Sequence, residues 1–483
     1  MHEGPKRLHG ASILIVALQQ LRSLGGILIA FIILQFVGGK RSEFIVEAIL
    51  AGIGVLTIIP AVIKYFTIRY ELTDEAFTLT SGLLFRQRRI VPLDRIQNVF
   101  LKRNILHQLL GVTTLKIETA SGSGAEVDLN VVGMAEAERL IHLLQRTAHV
   151  PQVETPVKEP IFRASLGDLF LAGATQNRAG VIILFFIGLL NYAHDLLPAL
   201  AKVLPAVSGK AGLPNSAVVG GMVLLILLLF AGWILSMITS VFVYFGFQLT
   251  RSEGVLKLKH GLLTQIQATL PVRRIQSIRI VAPVLQRRLG YCNVYADSAA
   301  SYADHSAGGA AVLTPLIARE RVEDVLHLAF NVDPHGAVFT KVSPLLRRRS
   351  FVRYLILGVV FVGAAEAVTG PIAFTFLPAT AAAAWYFAWK RFQILGYSRV
   401  DGYILVRDGV WKRTISILPE DRIQWIGMHQ GPMQRRLGIC TLNLVSAAVG
   451  GRHAYITDMP YAVALDLQND LIAGSDQMNS GGL

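Results

Sequence analysis

The chain has 483 residues, of which 53% are hydrophobic and only 16% charged, with a formal net charge of +14. About a quarter of residues are charged in an ordinary soluble protein, so this composition excludes a typical soluble or disordered chain and points to an integral membrane protein. Two cysteines in 483 residues exclude a disulfide framework.

In chain order, residues 1–23 ("KRLHGASILIVALQQLRS" within them) mix apolar and basic residues, as a helix lying in a membrane interface does. Gln19, Gln20 and Arg22 interrupt the apolar run, and no cleaved signal is expected. Long apolar runs then come in pairs: 24–37 with 45–66, 179–199 with 216–247, and 352–368 with 371–389. Set beside the ~20 residues that cross a hydrocarbon core, they predict a multi-pass α-helical membrane protein with six helices in three hairpins. Only Lys40, Arg41, Lys202 and Lys210 lie between paired runs, out of 46 lysines and arginines. The positive-inside rule therefore places the amino terminus and the polar segments on the cytoplasmic side of the membrane. The predicted layout is an interfacial segment at 1–23, a hairpin at 24–66, and a first polar domain at 67–148. A linker and interfacial segment at 149–178, a hairpin at 179–247 and a domain at 248–330 repeat the pattern. The third round is 331–351, 352–391 and 392–473, followed by a disordered tail at 474–483.

Each polar domain carries the same punctuation. "PLDRIQNVFLKRNILHQLLG" begins at Pro92, "PVRRIQSIRIVAPVLQRRLG" at Pro271 and "PEDRIQWIGMHQGPMQRRLG" at Pro419. Gly82, Gly261 and Gly409 precede the three prolines at one constant distance. Arg95, Arg274 and Arg422 open an Arg-Ile-Gln triplet ending in Gln97, Gln276 and Gln424, and Gly111, Gly290 and Gly438 close the unit. Such constancy marks an internal duplication, with copies far longer than solenoid repeats. Alternating apolar residues and turn signals predict antiparallel strands. Ala137, Leu140, Ile141 and Leu144, and again Val322, Val325, Leu326 and Ala329, predict a closing amphipathic helix. Each domain is expected to be α+β: a bent antiparallel sheet or partly open barrel with a carboxy-terminal helix.

A period-two strand puts Gln97 on the face of Val99 and Leu101, with Gln276 and Gln424 placed likewise. The expectation is a structural amide at the core edge, satisfying backbone groups where strands diverge. Residues 285–289 predict a helical turn stopped by Gly290, which exposes Arg287 and Arg288, and in the third copy Arg435 and Arg436. The first copy has Gln108 and Leu109 instead, so the arginine pairs are a candidate binding surface used less by that copy. Cys292 and Cys440 stand two residues past the closing glycine, where the first copy has Thr113. They predict buried strand residues with no disulfide between them.

A membrane-helix hairpin followed by Gly-Leu-Leu, Pro-x-x-Arg-Ile-Gln and Gln-Arg-Arg-Leu-Gly resembles the bacterial pleckstrin-homology-like, membrane-flanked family. Three such units resemble its YdbT-like members, although the third copy has Gly409-Val410-Trp411 in place of Gly-Leu-Leu. The resemblance implies a PH-like fold, a seven-stranded bent sheet with a helix across one end, and implies no catalytic residue. No metal-ligand spacing, phosphate-cradling loop or triad is present, so no enzyme activity, metal or cofactor is expected. The function expected is a cytoplasmic-face scaffold or binding module for protein partners or membrane lipids, with a protein partner or homo-oligomer and no nucleic acid. The alternative is a component of transport, export or resistance to a toxic peptide or lipid. Its candidate ionisable residues, Glu47, His194, Asp195 and Glu366, read more readily as interfacial.

Overall fold

The structure, a computed structural model, describes residues 5–23, 59, 61–63, 65–83, 85–93, 96–119, 125–147, 160–176, 216–252, 254–298, 310–330, 332, 334, 336–448 and 454–480. Its contacts divide the chain into two compact units. The first holds residues 1–161 with 248–274 and 299–303, and the second holds 162–247, 275–298 and 304–483. The second sequence copy is thus divided, with its first strands in one unit and its last strands in the other.

In the first unit, β1 (Lys6–Arg7), β2 (Arg69–Leu72), β3 (Ala76–Ser81) and β4 (Gln87–Pro92) form a four-stranded antiparallel sheet in that order. Helix α1 (Ser12–Ser23) follows β1. Then come β5 (Ile96–Asn104), the short α2 (Ile105–Leu109), β6 (Val112–Thr119), β7 (Ala125–Gly133) and the closing helix α3 (Met134–Thr147). The first copy therefore has four strands, three strands and a helix. Phe77, Leu115, Ile117, Val127 and Leu129, all fully buried, fill the space between its two sheets, and Leu140 and Leu144 of α3 close it. Ile15 of α1 packs on Val112 and Val131 at one side.

The second copy contributes β8 (Gln248–Ser252), β9 (Val255–His260) and β10 (Thr264–Pro271) to this unit. The outer strand β10 pairs antiparallel with β5 of the first copy, giving the order β7-β6-β5-β10-β9-β8. The register sets Asn104 opposite Thr264 and Phe100 opposite Ala268. Strands of two successive copies thus share one continuous sheet.

The second unit repeats the device. Helices α4 (Leu166–Thr175) and α5 (Ser216–Tyr244) precede β11 (Ile275–Pro283), α6 (Val284–Arg288), β12 (Tyr291–Ser298), β13 (Ala311–Ala318) and α7 (Val322–Leu326). Gly173 lets α4 and α5 meet closely, since a Cβ there would lie 2.5 Å from the Met237 Cα. The third copy supplies β14 (Thr340–Lys341), α8 (Leu345–Thr369), α9 (Leu377–Ile394), β15 (Gly396–Val400), β16 (Tyr403–Asp408) and β17 (Lys412–Pro419). It ends with β18 (Ile423–His429), α10 (Pro432–Arg436), β19 (Ile439–Ser446), β20 (Ala454–Pro460) and α11 (Tyr461–Ser480). One seven-stranded sheet runs β13-β12-β11-β17-β16-β15-β14, and β18-β19-β20 form another. Pro283 opposite Lys412 in this joint is the counterpart of Asn104 opposite Thr264 in the first, so the register is the same.

The expected six membrane-crossing helices need correction. Among the described residues no helix is long and apolar enough to cross a membrane. In α8, Arg347, Arg348, Arg349 and Arg353 at one end and Glu366 at the other leave only 12 uncharged residues between Arg353 and Glu366. At the 1.5 Å rise of a helix these span about 18 Å, against a hydrocarbon core of ~30 Å. In α9, Lys390 and Arg391 interrupt an 18-residue helix. The side chains of α5 before Ile226 and at Leu228, the runs 24–37 and 179–199, and most of 45–66 lie outside the described residues. What the structure does show is sheets forming PH-like domains.

Candidate functional site

The conserved spacing of the three copies becomes geometry at the glycines. Gly82, Gly261 and Gly409 adopt φ of +98°, +106° and +94°, and a Cβ on any of them would stand 2.0 Å from a carbonyl oxygen three residues on. Only glycine fits that turn. The closing glycines Gly111, Gly290 and Gly438 have φ of +65°, +79° and +63° and stop the short helices. Their carbonyls accept from the amides of Met134, Arg319 and Tyr461, where each closing helical segment begins. Pro92, Pro271 and Pro419 end β4, β10 and β17.

The triplet folds differently from a plain strand. Pairing slips between Ile96 and Asn98, between Ile275 and Ser277, and between Ile423 and Trp425, so each triplet glutamine is the extra residue of a β-bulge. The bulge inverts the parity: Ile96 and Ile275 are buried, Gln276 is half-buried and Gln424 exposed. The face assigned to the glutamine by strict alternation belongs to the isoleucine. Arg95 lies outside the described residues, as does the side chain of Gln97. Arg422 donates to the Ile275 carbonyl and stacks over Phe330 at 5.6 Å, tying the third copy to the second within the unit. Arg274 is half-buried, and burial, then Arg273, lowers its affinity for a proton.

The buried amide exists at another glutamine. Gln286 and Gln434, two places after the start of the helical turn, are 0% and 2% exposed, and the first copy has His107 there, 2% exposed. Gln434 Nε2 donates to Asp458 Oδ1 at 2.8 Å and to Thr441 Oγ1 at 3.1 Å, while Gln286 Nε2 donates to Thr175 Oγ1 at 3.1 Å. Asp458 also binds Arg349 of α8. The helical period inside the five-residue turn is the signal that would have found this position.

Of the arginine pairs, Arg287 is half-buried, and Arg288, Arg435 and Arg436 are exposed. Arg287 Nη1 donates to the Val410 carbonyl at 3.5 Å. Gln108 of the first copy does the same to Leu262 at 3.3 Å, so this position reaches the glycine turn of the following copy whether arginine or glutamine occupies it. Arg287 has a second setting. With Arg319, Arg407 and Arg413 it lines a cavity of about 160 Å³, walled also by Tyr291 and Phe339. None of the described residues lining it is acidic. Arg407 donates Nε to the Ile394 carbonyl at 2.8 Å and lies 4.2 Å from the Phe339 ring centre. Burial, followed by the charges of Arg287, Arg407 and Arg319, makes Arg413 easier to deprotonate, and its Nε is buried with no hydrogen-bond partner. Four guanidinium groups around one opening, one with an unused donor, suit an anion with several oxygens. Cys292 also lines the cavity, but burial pushes its thiol up to about 12, which keeps it protonated and unreactive. Both cysteines are free and buried. The larger cavity of the first unit, about 290 Å³, is mainly apolar, with Lys257 and Lys259 in its wall. Among the described residues no three His, Cys, Asp or Glu are grouped to hold a metal ion.

Comparison with known proteins agrees with the repeat. The bacterial PH domain family matches residues 14–148, 186–330 and 351–474. The chain is 25% identical over 381 residues to the UPF0699 transmembrane protein YdbT of Bacillus subtilis (strain 168), an alignment covering 75% of this chain and 76% of that protein. No solved structure matches. Three family matches that follow the three glycine-proline-glycine units across most of its length show that the chain belongs to the bacterial PH domain family.

Proposed function

We propose that the chain is a non-enzymatic, membrane-associated scaffold whose fused PH-like domains hold phosphate-bearing lipid headgroups of the bacterial inner membrane in the four-arginine cavity. The observation that carries this reading is the convergence of Arg287, Arg319, Arg407 and Arg413 with no acidic residue among the described lining. A relative named as a transmembrane protein and a formal net charge of +14 support a membrane setting, since anionic headgroups attract basic segments by ~1 kcal/mol per charge near the surface. Of the two aromatic residues in the described lining, Phe339 is already covered by Arg407, so the wall offers a headgroup more cationic than stacking contact.

The test is calorimetric titration of the purified full chain with short-chain phosphatidylglycerol and, separately, short-chain phosphatidylcholine. Binding should favour the anionic lipid and weaken as salt rises. Arg413→Gln removes one charge-assisted contact worth ~1.5–3 kcal/mol, so affinity should fall by roughly 10- to 100-fold. Equal affinity for the two lipids, or no loss in Arg413→Gln, would refute the reading.

A further inference from the structure

Both internal joints use one register, and each leaves the chain with a spare edge. Among the described residues β4 ends its sheet, and β18 ends its own. Burial records the missing cover on both. Ile417 in the second joint is 0% exposed, opposite Ile278, whereas Ile90, at the same place in the first copy, is 56% exposed. On the complementary side Ile275 and Ile278 are fully buried, but Ile423 and Ile426 in the third copy are only half-buried. The capping position follows suit. Gln108 reaches Leu262 and Arg287 reaches Val410, while the third in the series, Arg435, is exposed, and so is Leu83, the first in the series of turn acceptors.

We propose that β18 of one chain pairs with β4 of a second copy of this chain, continuing the internal joint between molecules. The register carried over from the joints sets Ile426 opposite Ile90 and Met428 opposite Arg88, with Arg435 donating to the Leu83 carbonyl. A second copy is the occupant because the chain builds this pairing twice already, and β4 is the edge that β18 lacks. Gln468 Nε2 donates to the Ile426 carbonyl at 3.2 Å, a side-chain cap that a partner strand's amide replaces. The contact joins two different surfaces, so it is heterologous and yields a closed ring or a growing filament.

Mixed-chain crosslinking tests this on the purified full-length protein. A tagged chain carrying Ile426→Cys is mixed with an untagged chain carrying Ile90→Cys under mild oxidation. A tagged-to-untagged disulfide should form at least about tenfold faster than with an untagged Gln87→Cys chain, which is out of register, because cysteines can bridge only when their Cα atoms lie within ~7 Å. By light scattering the parent should be larger than a monomer, and Ile90→Glu should return it to monomer. Ile90 is exposed in the single chain, so an unchanged unfolding midpoint will show that this variant folds. As a second variant, Arg435→Ala should weaken assembly, and Arg436→Ala should leave it unchanged. A parent that stays monomeric, a disulfide formed only within one chain carrying both cysteines, or equal rates with Gln87→Cys would each overturn the proposal.

Discussion

Glutamine stands at two places in each later copy, and the fold buries the one that period-two reading leaves out. A β-bulge at Gln276 hands the core face to Ile275, which is 0% exposed. Ile275→Ala should therefore cost ~2–5 kcal/mol through lost burial and a residual cavity. Gln276→Ala, at a half-buried bulge position, should cost less than about 1 kcal/mol. Denaturant midpoints of the full chain would check both, and a larger loss at Gln276 would restore it as the structural amide. The deeper position, Gln286 or Gln434, is His107 in the first copy, where burial first, then Arg103 and Lys102, lower the imidazole's affinity for protons. The unfolded chain then takes up a proton near pH 6.5 while the folded chain resists it. Stability is thus full above pH 6.5 and declines as pH falls from there toward the lower folded value. His107→Gln, the residue of the other copies, should raise the melting temperature at pH 5.5 more than at pH 7.5; an equal change at both would contradict a buried neutral histidine. A triplet could not announce its bulge, because alternation is blind to one extra residue.

At the scale of the element, the turns and strand ends were the legible part, since glycine and proline report backbone constraints locally. The two glycine series differ in kind, however. At Gly409 both φ and the Lys412 carbonyl forbid a side chain, whereas Gly438 has a left-handed φ and open space around it. Gly438→Ala should cost ~1–2 kcal/mol, the penalty of left-handed backbone alone. Gly409→Ala should cost clearly more, and because its turn leads into β17 it should also loosen the joint to β11. Thermal unfolding of the two variants side by side would decide, with equal losses contradicting the steric reading. The apolar runs were less informative. Hydropathy recognises them as helices, yet the charges at the ends of α8 and α9 shorten what is apolar, which the run lengths alone concealed.

Across the whole molecule, the duplication was readable from spacing, but not the way the copies join. Pairing β5 with β10 and β11 with β17 is non-local: it depends on which outer edges meet, and nothing within either strand names its partner. The four-arginine cavity was illegible for the same reason, since Arg287 and Arg319 come from the second copy and Arg407 and Arg413 from the third. Only the shared sheet brings them together. Each copy is therefore not an independent module, and the binding site proposed here is a product of the joint.

Amide hydrogen exchange on the purified full chain tests that joint most directly. β17 lies between β16 and β11, so its amides from 412 to 417 should exchange as slowly as those of 403–408 in β16. Exchange of 412–417 at the rate of an exposed edge strand, with 403–408 still protected, would mean that the copies fold as separate domains and would contradict the account.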